Sequence, residues 1–106
     1  MHKFCAKIHR TMEGAIVAIC DEDILGKNLV FEDAEIHVSP EFYFDRKIDE
    51  IEALALMREA VCINLLGNNI VELGLKHGFV HEDSIMYLET KNGEKIAYAI
   101  VHLFSF

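Results

Sequence analysis

The chain has 106 residues, of which 52% are hydrophobic, and 18 acidic against 10 basic side chains give it a net charge of −8. This length predicts a single domain over residues 1–106, and the hydrophobic content excludes a disordered chain. No apolar run approaches the roughly 18 residues of a membrane span, and the start lacks the apolar core of a signal peptide, so we expect a cytoplasmic protein. The acidic balance disfavours nucleic-acid binding, although it does not exclude a local basic patch.

Residues 3–20 predict an antiparallel β-hairpin. The first half alternates apolar and polar side chains, and the second half is a more apolar strand that follows a turn. The apolar faces match best when Ile8 pairs with Val17. The same register places Cys5 opposite Cys20, and we therefore expect the two sulfur atoms to lie close together.

The next segment, DEDILGK, predicts a single helical turn that Asp21 or Asp23 caps and Gly26 ends. Residues 29–31 and 34–38 then predict two short strands. If each connection reverses the chain, the second of these runs parallel to the second hairpin strand, and the loops after both emerge at one edge. DEDILGK and the following SPEFY are then neighbours in space.

The sequence SPEFYF predicts the start of a helical turn. Ser39 is a natural N-cap, and Pro40 suits the first helical position. We expect Phe42 to fill the core while Tyr43 or Phe44 covers an adjacent edge. Three consecutive aromatic residues cannot all point inward, so at least one lies near the surface.

A long central helix is predicted from Asp49, with Glu52 three residues later as in a capping box, to Gly67. A helix that is apolar on most of its sides packs between layers or meets a partner chain. A second helix follows and ends at Gly78. The apolar residues at helical spacing in the long helix are Ile51, Leu54, Ala55, Val61, Cys62 and Leu65.

The C-terminal part predicts a second hairpin. Two strands, 84–90 and 95–104, flank an Asn-Gly dipeptide, which is the strongest short hairpin signal. Lys91 and Glu94 then face each other beside the turn. Strands and helices occur in blocks rather than in alternation, which favours an α+β fold. We expect an N-terminal β-hairpin and short strands, two central helices and a C-terminal β-hairpin, with the helices packed on a mostly antiparallel sheet.

Three segments, CDEDILGK, VSPEFY and NLLGNNIVELGLKHGFV, resemble a family of small archaeal proteins known as domain of unknown function 424. The resemblance covers nearly the whole chain in the same order, and VSPEFY after an LGK turn is its most specific part. It implies an archaeal setting and a single-domain fold. It implies no activity and therefore no catalytic residue.

The expected loop edge carries the candidate binding residues. An acidic triplet near a lysine can bind a divalent cation or transfer protons, and exposed aromatic residues beside an arginine are typical of partner-binding surfaces. The same residue types also suit helix starts and corners of the fold. Both interpretations stay open for Asp21, Asp23, Lys27, Ser39, Glu41, Tyr43, Phe44 and Arg46.

Three cysteines form neither a disulfide set nor a close ligand pair, so buried reduced thiols are the first expectation. Cys5 and His9 share a strand face with Cys20 opposite, which makes a Cys-His-Cys metal site a weaker alternative. Lys7 lies between them on that face and disfavours a cation. We expect no cofactor.

The leading functional hypothesis is a protein-binding or accessory module without catalysis of its own, binding a protein partner or a second copy. It depends on the wide apolar face of the long helix, the aromatic run and the absence of an assembled catalytic motif. One alternative is a small metal-dependent or acid–base enzyme with its site at the edge formed by residues 21–27 and 39–46. Another is an RNA- or ribosome-associated translation factor, which the net charge disfavours.

Overall fold

The computed structural model describes residues 3–103, and within them eight strands form one sheet. The strand order is β4-β3-β7-β8-β6-β2-β1-β5, and every neighbouring pair is antiparallel except β2 with β6. The predicted α+β class with a mostly antiparallel sheet is confirmed. The strands are β1 Phe4–Thr11, β2 Gly14–Asp21, β3 Asn28–Phe31, β4 Ala34–His37, β5 Arg46–Ile48, β6 Cys62–Leu66, β7 Met86–Glu89 and β8 Lys95–His102.

The described chain also contains three α-helices, α1 Pro40–Tyr43, α2 Glu50–Glu59 and α3 Asn68–Lys76. Short 3-10 turns at Glu22–Ile24 and Glu82–Ser84 complete the connections. α2 and α3 cover one face of the sheet, which we call the helix face. Alternate strand residues that point to that face form the larger core with Ala53 and Met57 of α2 and Ile70 and Val71 of α3.

A second core lies on the other side of the sheet, which we call the opposite face. It draws Cys20 from β2 and Leu29 from β3 into one buried cluster. In a flat sheet these strands would stand four spacings, about 19 Å, apart. Leu66, Ile96 and Leu88, from the strands that lie between β2 and β3, belong to the same cluster. The smaller core therefore runs continuously along the opposite face.

The N-terminal hairpin has the predicted register. Ile8 pairs with Val17, and Cys5 pairs with Cys20. The two thiols are close enough to shift each other's pKa, as expected from that register. β1 also pairs with β5, which is the edge strand of the sheet. β5 has three residues, and the sequence patterns did not predict it.

The predicted long central helix is wrong in its second half. Asp49 caps α2 as expected, since its Oδ1 accepts a hydrogen bond from the Glu52 N–H at 2.9 Å. The helix ends at Glu59, however, and Cys62–Leu66 form β6, a strand with five buried residues in the middle of the sheet. A short continuous apolar run fits a buried strand as well as a helix, and periodicity alone does not separate them.

Two other expectations fail in detail. Tyr43, not Phe42, is the buried aromatic residue of α1. In the second hairpin the turn has three residues, because Thr90 N–H donates to Glu94 C=O and Gly93 adopts a φ of 86°. Lys91 and Glu94 therefore do not face each other. The strand end predicted at Phe104 lies outside the described residues.

Asp21 connects the end of β2 to the start of α3. Its Oδ2 accepts from the Asn69 N–H at 3.0 Å and its Oδ1 from the Ile70 N–H at 2.9 Å. The residue at the helix N-cap position is Gly67, which has no side chain to cap the helix. Asp21 thus caps α3 from a strand that is distant in the sequence. Its side chain does not cap the 3-10 turn that follows it, which was one of the two possibilities that the sequence offered.

We predict that Gly67→Ala lowers the free energy of unfolding by at least about 2 kcal/mol, because strained backbone and loss of a helix cap each cost on this scale. Gly67 has a φ of 131°, and a Cβ there would overlap the Asp21 carboxyl group. Urea unfolding measures the loss.

The matched control is Gly26→Ala, at a φ of 83° with no atom within 4 Å of the added Cβ. It should cost only the left-handed backbone penalty of about 1 kcal/mol. Equal losses in the two variants would show that the contact with Asp21 does not constrain position 67.

Candidate functional site

The two loops expected to form one edge are neighbours, but the hairpin β3–β4 brings them together. Gly26 N–H donates to Val38 C=O at 2.8 Å, and Val38 N–H donates to Lys27 C=O at the same distance, which extends the hairpin ladder. Asp23 and Lys27 then line an open cleft of about 430 Å³ whose other wall is the β7–β8 turn. Asp21 is on the helix face, where it caps α3.

α1 lies on the opposite face, where two side chains of β1 contact its carbonyl groups. Ser39 Oγ accepts from the Glu41 N–H at 3.2 Å and so begins the helix as predicted. Lys7 Nζ donates to the Glu41 carbonyl at 2.8 Å. The His9 ring contacts the Phe42 carbonyl through Nε2 at 2.9 Å and stacks on the Phe42 ring with centroids 4.7 Å apart. These contacts give the SPEFY segment a clear structural role.

Tyr43 forms the polar centre of this face. Its hydroxyl donates to Asn64 Oδ1 at 2.6 Å, and Asn64 Nδ2 donates to the Tyr98 hydroxyl at 3.3 Å. Burial raises the pKa of Tyr43 far above its usual value of 10.0, and the nearby Tyr98 hydroxyl adds to the shift. The Tyr43 hydroxyl therefore stays protonated and acts as a fixed donor.

The remaining candidates lie elsewhere. Phe44 is 40% exposed at the end of α1. Arg46 begins β5, where it pairs with Ala6 of β1. The eight candidate residues thus occupy the cleft, the α3 cap, α1 and the β5 edge, and the structure does not gather them into one pocket. Their roles in binding stay predictions.

Of the weakly predicted Cys5–His9–Cys20 site, the structure brings together the two thiols but not His9. Cys5 and Cys20 are buried and free, whereas the His9 ring is turned to Phe42. Desolvation by burial is the largest cause of the raised pKa of Cys20, and its contact with Cys5 adds to it. Among residues 3–103 no three His, Cys, Asp or Glu side chains converge as a metal site would require.

The opposite face carries an exposed apolar and aromatic area beyond α1. Ile100 is 44% exposed and Met86 42% exposed, although both are strand residues in the middle of the sheet order. Met86 stands directly across from Tyr98, and Ile100 across from Asn64. We define the open patch as Ile16, Phe42, Met86, Tyr98, Ile100 and His102.

The strand carboxylates lie on one face of the sheet. The carboxylates of the described strands are Asp21, Glu35 and Glu89, and strand alternation places all of them on the helix face. The helix face also carries the strand cations Arg10, Arg46 and Lys95. The strand positions of the opposite face carry Lys7, His9, Lys47 and His102 and no carboxylate. Glu22 pairs with Lys47, however, and α1 on the same face contains Glu41.

Sequence patterns did not identify the open patch, because they predicted Tyr98 and Ile100 only as parts of a hairpin strand and did not show which elements cover its faces. The alternation in β8 does carry a signal. Ala97 and Ala99 are small and buried, while Tyr98 and Ile100, which alternate with them, are large and more exposed. A strand whose larger residues face outward indicates a second contact surface.

The fold and the patch together define a class of protein: an α+β domain whose sheet has helices on one face and, on the other, exposed aliphatic residues beside partly exposed aromatic ones. The profile of the DUF424 family, described as "Protein of unknown function", matches residues 8–98, and the chain belongs to that family. The resemblance noted from CDEDILGK, VSPEFY and the Gly67 region is thereby confirmed.

A solved structure shares the fold. The crystal structure of an uncharacterized conserved protein from Methanopyrus kandleri aligns with a TM-score of 0.77 at 24% identity, covering 98% of this chain and 94% of that one. A search of curated proteins found no match. Within residues 3–103 no helix has the length and apolar character needed to cross a bilayer.

We predict that Tyr43→Phe lowers the free energy of unfolding by about 1–3 kcal/mol, because Asn64 Oδ1 loses its buried donor. Chemical denaturation measures the change. Tyr98→Phe is the control. The bond to the Tyr98 hydroxyl is longer and partly exposed, so water can replace it and the loss should be smaller. A larger loss for Tyr98→Phe would contradict this view of the network.

Stability should also fall at alkaline pH. Burial raises the pKa values of Cys5, Cys20 and Cys62 above the usual 9.0. A raised folded-state pKa gives a stabilising contribution that is complete below the unfolded pKa and is lost as pH rises through the folded one.

Urea unfolding between pH 7.5 and 9.5 should therefore show a decrease beginning near pH 8.5, at most about 1.4 kcal/mol per pH unit for each thiol. Cys20→Ala should reduce the slope. A free energy of unfolding that stays constant over this range would show that the thiols ionise as easily in the folded protein.

Proposed function

We propose that the chain is a cytoplasmic, single-domain protein-binding module without catalysis or a cofactor of its own. The observation that carries the proposal is the open patch, where Met86 and Ile100 are exposed in the middle of a sheet beside the partly exposed ring of Tyr98. Outward residues of an antiparallel sheet that faces only water are normally polar. Here Ile100 and Met86 occupy such positions with more than two-fifths of their surface accessible.

The composition of the patch matches the centre of a protein interface. Tyr, Phe and Met are enriched in such centres, whereas Asp and Glu are depleted. Tyr98, Phe42 and Met86 supply the first group, and the described strands place no carboxylate on this face. The surface expected from the wide apolar helix is not the one used here, since Ile63 and Leu65 are buried within β6.

The buried polar side chain of Asn64 lies beneath the patch and fixes its shape. Asn64 is only 8% exposed and is held by Tyr43 and Tyr98. Rigid aromatic side chains lose little conformational entropy on binding, which favours them as binding anchors. Tyr98 is thus fixed by the network below it while its ring lies at the surface.

The enzyme and RNA alternatives gain less support. Asp23 and Lys27 line the cleft, but Lys91 and Glu94 also line it, so its two cations and two carboxylates favour no one class of ligand. Phosphate binding would place a polyanion beside a chain of net charge −8.

Site-specific photo-crosslinking tests the binding module. A benzophenone amino acid at position 100 should give a discrete adduct with a partner protein in an extract of the native host. The matched control places the same group at Tyr87, which is 52% exposed on the helix face. We expect no adduct of the same mass from position 87.

Identical adducts from both positions, or none above background from position 100, would overturn the use of this patch. Circular dichroism of both labelled proteins checks that the fold is retained.

A further inference from the structure

We propose that a second copy of this chain pairs with the free edge of β4 and joins the two sheets into one. This interface goes beyond the proposed function, because β4 is the end strand of the sheet and shares no residue with the open patch. The partner strand is β4 of the second copy, antiparallel to the first, as a two-fold axis through the edge requires.

The outer edge of β4 presents main-chain groups that have no strand opposite them. β4 comprises Ala34–His37 and ends the strand order that residues 3–103 form. The Val38 N–H, just beyond β4, donates to the Lys27 C=O on the β3 side. Because successive residues of a strand direct their N–H and C=O groups to opposite sides, Glu35 and His37 direct theirs outward. A free edge of this kind is a template for another extended chain.

The side chains of β4 match a second copy of the same strand. In the register centred on Ile36, Glu35 of each copy lies directly opposite His37 of the other, and the two Ile36 side chains face each other. The outward groups of Glu35 and His37 then form four main-chain hydrogen bonds across the axis.

The neighbouring symmetric registers fail on charge. Moving the axis by one residue places Glu35 opposite Glu35, or His37 opposite His37. Like charges directly opposite each other destabilise a sheet, whereas opposite charges stabilise it. Of these three registers only the central one pairs acid with base, and this selects both the partner and the alignment.

Both charged side chains are available for the second copy. Glu35 and His37 are exposed, and neither forms an ion pair within the described residues. His37 Nδ1 lies 2.7 Å from Asn28 Oδ1 and donates to it, because that oxygen can only accept. Proton uptake at Nε2 then gives a positive ring opposite the Glu35 carboxylate of the other copy.

The opposite face of the hairpin adds an apolar contact. Ile36 is half-buried and packs against the smaller core. Phe31, which pairs with Ala34, is 36% exposed beside it. A second β4 extends this apolar strip with its own Ile36 and Ala34, and side chains are closest at a central pair that lacks main-chain bonds.

The other end of the sheet lacks this complementarity. β5 has the sequence Arg46-Lys47-Ile48, with two adjacent cations and no carboxylate. Two copies paired through β5 would bring like charges together.

Sedimentation equilibrium of the full chain tests the dimer. Protein concentrations reach about 1 mM, because a strand of four residues gives a small interface. The buffer is at about pH 6, where histidine side chains are mostly protonated, and about 0.15 M salt screens the repulsion between acidic chains. The unaltered protein should show a reversible monomer–dimer equilibrium. Glu35→Lys and His37→Glu should each weaken it about tenfold, because each places like charges opposite each other.

A mixture of the two variants provides the matched control. In the mixed dimer the introduced lysine faces the introduced glutamate, and the remaining His37 faces the remaining Glu35. Association should therefore recover to about the strength of the unaltered protein. Ile100→Ser, on the open patch, should dimerise like the unaltered protein. Circular dichroism checks that each variant is folded.

Amide hydrogen exchange, followed by NMR, locates the contact. The N–H groups of Glu35 and His37 should exchange more slowly in the concentrated sample than in the dilute one. The Ile36 N–H points to β3 and should exchange at the same rate in both samples.

The inference is overturned by a protein that stays monomeric at every concentration, by a dimer that both charge variants retain, or by a mixture that does not restore association. A dimer that Ile100→Ser dissociates would place the contact on the open patch and also overturn pairing through β4. The crosslinking experiment at position 100 does not depend on these results, so the dimer and the binding module fail separately.

Discussion

The contact between the Asp21 carboxylate and the first turn of α3 is the constraint on which the rest of the structure depends. Two backbone N–H groups of α3 donate to it, and Gly67 leaves the space that the carboxyl group occupies. The contact joins the end of β2 to the helix that follows β6, and these two strands form the parallel pair of the sheet. α3 is thereby held on the helix face.

Once the helices lie on one face, the elements that cover the other face decide what that face can do. At the β3 end of the sheet, Leu29 is buried in the smaller core. α1 covers the part above β1 and β2, where Tyr43 reaches Asn64. On β6, β8 and β7 the residues Leu66, Leu88 and Ile96 are still buried, whereas Met86 and Ile100 remain exposed. The proposed binding surface results from incomplete coverage.

Some of this was predictable from the chain. Alternation gave the hairpin register, including Cys5 opposite Cys20, because a half-buried strand has only one pairing that matches its apolar face. Ser39 and Asp49 marked helix starts correctly, because side-chain capping is a local interaction. The candidate binding site was less predictable. Asp21 and Ser39 fit both a functional role and a structural one by residue type, and their hydrogen bonds support the structural one.

The sequence by itself determined the fold class, the helix starts and the N-terminal register, because these depend on neighbours within a few residues or on one strand pair. Only the tertiary structure decided that Cys62–Leu66 is a strand, since its partners β2 and β8 are distant in the chain. It also decided that Tyr43 is buried while Tyr98 and Ile100 reach the surface. The reason is physical: exposure depends on which elements cover a face, and no local pattern records elements that are distant in the chain.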